Sequence, residues 1–366
     1  MEEILTVLSD PYFKARELSD AVGITPMHFP EELVHAAGLT PIILQESVEP
    51  VTQGLGHFYP FFCGFTRSNV DLAVKGKLDF LKAVIISDMC MQIRYMAQAM
   101  RKNMKKPFFY MLWYLDIEDK RIKPTVERLR KLRDELSDFT GRRIRDEDIL
   151  ESIKIYNRNR RLLKEIFDIR VKKPGVLSGR EMVALVMSSM VYPKEEHNKL
   201  LERLKDEIMG RDGREGVRVY LSGHLCQALK PEIVSLVEEL GGVIVGDDLY
   251  TGSRYINTEL PEEGDPIENM ARRYFDLPYP CPTRYEPGKD WARYLIEEKE
   301  RTGAQGIIIF IVKYCEPHML YYPDLRKRLD EARIPHIMIE TEHEIISLES
   351  VRTRIGAFIE MLRGGR

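Results

Sequence analysis

Seven short apolar runs constrain this chain more than any other feature: TPIIL (40–44), AVIIS (83–87), PFFYMLW (107–113), VRVYLS (217–222), GGVIVG (241–246), GIIIFIV (306–312) and PHIMIE (335–340). They lack the polar alternation of a sheet with one wet face, so strands built from them are covered on both sides. Stretches with apolar residues at helical spacing separate them. Buried strands alternating with helices imply right-handed βαβ units and an α/β fold of parallel sheets. At 366 residues the chain is long for one core, and two α/β domains are expected.

Between Lys123 and Arg170 the character changes. VERLRKLRDELSDFTGR and DEDILESIKIYNRNRRLLKEIFDIR are highly charged, and the second places Ile149, Ile153, Tyr156, Leu163 and Ile166 on one broad face. Two helices are expected, with TGRR as the break. VKKPGVLSG (171–179) then reads as a linker, and Ser178 with Glu181 fits a capping box for the next helix. The domain boundary is expected near 174, giving units 1–174 and 175–366. The methionines at 96, 100 and 104 read as the core face of a helix.

Charged residues make up 31% of the chain with both signs mixed, and the net charge is −3, so neither nucleic acid nor an anionic membrane is an expected partner. No run approaches the roughly 20 apolar residues that span a bilayer. The opening MEEILTVLSD lacks a basic flank and an apolar core, and a cytoplasmic location is expected. In that setting the five cysteines are not a disulfide framework.

The ordinary reading of each cysteine is a small buried hydrophobe. Their positions argue otherwise for three of them. Cys90, Cys226 and Cys315 follow the runs at 83–87, 217–222 and 306–312, at the strand ends where open parallel sheets build their sites. Cys63 sits in a loop after the first run, and Cys281 in the proline-fixed turn YPCPT. Ligands so distant in sequence imply a site between facing domains, and no CxxC is present for a local zinc site. Thiolates suit iron–sulfur clusters, zinc or copper(I). An iron–sulfur cluster usually takes four cysteines, so three would leave one iron open.

A series of stretches runs in order along nearly the whole chain: MHFPEELVHAAGLTPI, CGFTRSNVDLAV, DFLKAVIISDMC, IYNRNRRLLKEI, EEHNKLLERL, RVYLSGHLCQ, GGVIVGDDLYTGSRY, GIIIFIVKYCEPHMLYYPDLRKRLDEARIPHIMIETE and VRTRIGAFIEML. In this set and order the chain resembles the 2-hydroxyacyl-CoA dehydratase and benzoyl-CoA reductase subunits, the family of the 2-hydroxyglutaryl-CoA dehydratase D-component. The resemblance implies two flavodoxin-like (Rossmann-type) domains with helical insertions. It implies a 4Fe-4S cluster held by Cys63, Cys90 and Cys315, with one open iron and one-electron reduction of a CoA thioester. The expected partners are an acyl-CoA, a second related large subunit (or a second copy of this chain), and an ATP-dependent 4Fe-4S activator, since the chain has no Walker A motif. The alternative is a non-catalytic electron-transfer subunit or a double-cubane protein; the latter needs about six thiolates at three per cubane. Cys226 and Cys281 are expected to be buried or to lie near the cluster without ligating it.

The same matching points to Glu32 as a catalytic candidate, and the place of His224 between a strand and Cys226 makes it a candidate proton donor. Arg67, Ser68 and Arg254 are candidates for holding the cofactor or substrate, and His318 for a hydrogen bond to a cluster sulfur. Each has a plainer reading as well. Glu32 complements a helix N-terminus, Arg67 is a solvated arginine or, with Ser68, orders the loop after Cys63, His224 is satisfied by backbone, and Asp247, Asp248 and Arg254 brace a loop.

Overall fold

The computed structural model describes residues 1–59, 61–113, 121–224, 226–286, 288–344 and 347–364. Eight strands form two four-stranded sheets. The first has β1 (Ala21–Ile24), β2 (Thr40–Ile43), β3 (Ala83–Asp88) and β4 (Phe108–Leu112) in the order β2-β1-β3-β4. The second has β5 (Val217–Gly223), β6 (Gly242–Asp248), β7 (Gly306–Val312) and β8 (His336–Thr341) in the order β6-β5-β7-β8. Every pairing is parallel, and the two orders are the same pattern repeated.

All seven apolar runs are strands. The sequence reading missed β1, a four-residue strand at the centre of the first sheet. Both faces of each sheet are covered, as uninterrupted apolar runs require. In β3, Val84 and Ile86 join one hydrophobic cluster while Ala83 and Ile85 join another. In β7, Ile308 and Phe310 join the same first cluster while Ile307, Ile309 and Ile311 face a third. The first cluster is thus common to both sheets.

The charged middle of the chain forms the two expected helices, Ile122–Thr140 and Asp146–Lys172. Ile149, Ile153, Tyr156, Leu163 and Ile166 are all buried. The capping box at Ser178 and Glu181 is present and opens the helix Gly179–Val191. That helix is buried over most of its length and contributes apolar residues from Met182 to Val191 to the shared core. The expected boundary near 174 falls in the turn between helices, yet the core runs through residues on both sides of it. Met96, Met100 and Met104 are core, as read. Among the described residues no helix is long and apolar enough to cross a membrane.

Candidate functional site

Cys63, Cys90 and Cys315 each occupy the N-cap position of a helix: Gly64–Val74, Met91–Asn103 and Glu316–Glu331 respectively. The helix N-termini therefore lie at the three sulfurs, and the backbone N–H groups of Thr66, of Gln92 and Ile93, and of His318 pull the thiols down, although none makes a capping hydrogen bond to them. Unpaired N–H groups and the positive end of the helix dipole favour negative charge there. Thr66 Oγ1 lies 3.3 Å from the Cys63 sulfur, and His318 Nδ1 lies 3.7 Å from that of Cys315.

One side chain ties the three loops together. Gln92, two residues past Cys90, accepts from the Cys63 N–H at 2.6 Å and donates to the Tyr314 carbonyl at 2.7 Å. Tyr314 itself has φ 65°, an uncommon conformation for a residue with a Cβ, and it aims the chain so that Cys315 starts its helix. Gly64 allows the first helix to approach the second sheet's edge closely: a Cβ there would sit 2.5 Å from His343 Cβ.

Cys226 joins from the second sheet. Cys63, Cys90, Cys226 and Cys315 line a single cavity of about 30 Å³, walled by Phe65, Met89, Ile93 and Pro317. Among the described residues no three Cys, His, Asp or Glu side chains are grouped tightly enough for a single metal ion. The four thiols surround a space and do not converge on a point. Burial raises the Cys90 thiol to about 12 and raises Cys63 and Cys315 as well, against the lowering pull of the helix N–H groups. Cys226 is raised further, by burial first and then by the three neighbouring thiols. As free thiols all four are protonated at neutral pH.

The other predicted residues lie elsewhere. Glu32 does not line the cysteine cavity. It is buried between Arg160 at 2.6 Å and Arg273 at 3.0 Å. Burial alone would raise its carboxyl, but Arg273 and Arg160 outweigh burial and hold it at about 2, so it is a fixed anion and a poor proton carrier. Arg67 gives its guanidinium to Glu342 at 3.0 Å, and Ser68 Oγ accepts from the Ser47 N–H at 2.7 Å. Both are buried and order the loop after Cys63. Arg254 is held by Asp248 at 2.6 and 2.9 Å and donates to the Pro280 carbonyl. Arg67 is thus not a solvated arginine, and both arginines brace their loops. His224 is buried, its Nε2 lies 2.8 Å from Thr341 Oγ1, and burial lowers it to about 4. Cys281 is buried beside His28 and Thr283, outside the cavity. A larger cavity, about 520 Å³, is lined by Arg170, Asp247, Tyr279 and Arg301 among others and contains no cysteine.

Around the cysteine loops the surface is apolar. Tyr59 stacks on Phe61, Phe61 on Phe62, and Phe62 meets Tyr95 edge-on. Tyr59 is 70% exposed, and Leu320, in the helix begun by Cys315, is 80% exposed. Phe61 is exposed as well, so large apolar side chains stand in solvent on the segments flanking Cys63 and Cys315.

Residues 26–362 match the family model described as 2-hydroxyglutaryl-CoA dehydratase, D-component. The chain is 29% identical over 358 residues to the (R)-phenyllactyl-CoA dehydratase beta subunit of Clostridium sporogenes, covering 93% of this chain and 91% of that protein. It is 29% identical over 355 residues to the lactoyl-CoA dehydratase subunit beta of Anaerotignum propionicum, covering 96% and 94%. It is 25% identical over 355 residues to one of the benzoyl-CoA reductase subunits of Thauera aromatica, covering 93% and 90%.

Proposed function

The chain belongs to the 2-hydroxyglutaryl-CoA dehydratase D-component family, and on that premise we propose that it is the iron–sulfur subunit of a complex acting on a CoA thioester, a 2-hydroxyacyl-CoA dehydratase or an acyl-CoA ring reductase. Cys63, Cys90 and Cys315 hold a 4Fe-4S cluster. The observation that carries this reading is their convergence, from three separate loops, on one apolar-walled cavity.

The donor set fits such a group. Soft thiols are the ligands it takes, and three helix N-termini offset the negative charge that ligation leaves on the sulfurs. The enclosed space is about 30 Å³, so loading has to part the walls, and Cys63, Cys90 and Cys315 are partly exposed where that opening is needed. Loading also has to release the thiol protons that burial favours, which makes it pH-dependent. When bound, a cluster supplies single electrons, as removal of a hydroxyl beside an unactivated β-proton or reduction of an aromatic ring requires.

The residues of this chain do the rest. Gln92 fixes the spacing of the three loops. Phe65, Met89, Ile93 and Pro317 keep water from the sulfurs. The exposed rim at Tyr59, Phe61 and Leu320 receives a partner subunit. Electrons arrive from an ATP-dependent activator, because this chain has no Walker A motif.

Anaerobic reconstitution with iron and sulfide is expected to give brown protein with about four irons per chain. Colourless, iron-free protein would refute the proposal. A second reading, an electron relay whose irons are all capped by protein, is favoured by one observation: Cys226 lies on the same cavity wall. Adding an acyl-CoA separates the two, since an open iron changes its EPR spectrum on binding and a capped one does not.

A further inference from the structure

The family's three-cysteine set leaves one corner of a cube without a protein sulfur, yet the cavity has four thiols on its walls. Two, Cys63 and Cys90, come from loops of the first sheet, and two, Cys226 and Cys315, from loops of the second. We propose that Cys226 is the fourth cluster ligand, so that this chain binds its cluster as a coordinatively closed four-cysteine site with no corner free for an exogenous ligand. The proposal rests on the cluster reading above and decides between its open and relay forms.

The placement of Cys226 is built into the backbone. β5 ends in a reversal with two successive left-handed residues, Gly223 at φ 101° and His224 at φ 45°. A Cβ on residue 223 would lie 1.8 Å from the Phe310 carbonyl oxygen, so glycine is required there. The reversal is pinned to the second sheet twice, by the His224 N–H donating to the Phe310 carbonyl at 3.1 Å and by His224 Nε2 with Thr341 Oγ1 at 2.8 Å. The next residue along, Gln227, also lines the cavity and reaches across to Glu46 Oε1 at 3.3 Å. His224 and Gln227 are thus anchored on either side of Cys226, and its thiol lines the cavity with the other three. Cys281, the remaining cysteine, has no such placement.

Ligation forms one iron–sulfur bond and releases the Cys226 proton to solvent. The fourth sulfur then occupies the coordination position that cyanide or a thioester oxygen would otherwise take.

The test uses the full chain, reconstituted anaerobically, with cyanide as the probe and EPR of the reduced cluster as the readout. Wild-type protein with about four irons is expected to show g-values unchanged by cyanide. Cys226→Ser is expected to shift the g-values and to become cyanide-sensitive, while Cys281→Ser behaves as wild type. A wild-type spectrum that changes with cyanide would overturn the proposal without any variant, whatever the folding of Cys226→Ser. So would a Cys226→Ser spectrum identical to wild type. Wild-type protein that takes up no iron overturns the cluster reading itself, and this inference with it.

Discussion

Two clusters of reactive side chains, one buried and one of partly exposed thiols, are built on opposite principles. In one, Glu32 faces Arg160 and Arg273, while Glu31 accepts from Tyr255 at 2.9 Å and sits 3.5 Å from Lys194. Acids and bases there answer one another. In the other, four thiols face a common space, apolar walls surround them, and helix N-termini lie at three of the sulfurs. A cluster whose charges are paired, even with Glu32 Oε2 left without a hydrogen bond, holds a fold together. A cluster that is left wanting a partner is where a cofactor goes.

The contrast can be broken most sharply at the thiols. Replacing Cys63, Cys90 or Cys315 by Ser is expected to lower iron affinity by more than about 100-fold, beyond the roughly 10–100-fold typical of residues that only support a ligand. Iron content and visible absorbance check this, and the apoprotein's melting temperature should hardly move. Glu32→Ala should do the reverse. It strands two buried guanidinium groups and is expected to cost about 3–5 kcal/mol in chemical denaturation, while the protein that remains folded still binds iron.

Acid should separate the regions as well. The Glu32 carboxyl is lowered from 4.5 to about 2 by its arginines. The stability it contributes is therefore complete above pH 4.5 and lost as pH falls toward 2. A melting series over that range should steepen for wild type and flatten for Glu32→Gln. At the site, Gln92→Ala removes both hydrogen bonds that link the cysteine loops. It is expected to weaken iron binding by about 10–100-fold with a fold stable enough to purify; an unchanged iron affinity would show that the loops are positioned without it.

Much of this was legible in the sequence, for physical reasons that differ by element. Runs such as GIIIFIV announce a strand covered on both faces because seven apolar residues rich in β-branched Ile and Val, bounded by turns, are the length of a strand and short for a helix. β1 escaped because AVGI is only four residues long and includes a glycine, so its central place comes from its neighbours and not from its own pattern. Cys90 and Cys315 were placed by strand ends. Cys63 lies 20 positions past β2 and came only through the family resemblance. The role of Gln92 had no local signal, since its partners are 29 and 222 positions away. Glu32 was read as a site residue from the family resemblance, and what makes it a brace is Arg160 and Arg273, 128 and 241 positions distant. Cys226 was read as a buried neighbour because three cysteines complete the set that the resemblance implies, and the paired left-handed residues before it are visible only in the backbone.

The central claim is that three cysteines distant in sequence grip one iron–sulfur cluster between the sheets. Anomalous diffraction at the iron edge, from crystals of anaerobically reconstituted protein, tests it directly. The account predicts iron density within bonding distance of the sulfurs of Cys63, Cys90 and Cys315. Iron-free density at those sulfurs, or iron held elsewhere in the chain, would contradict it.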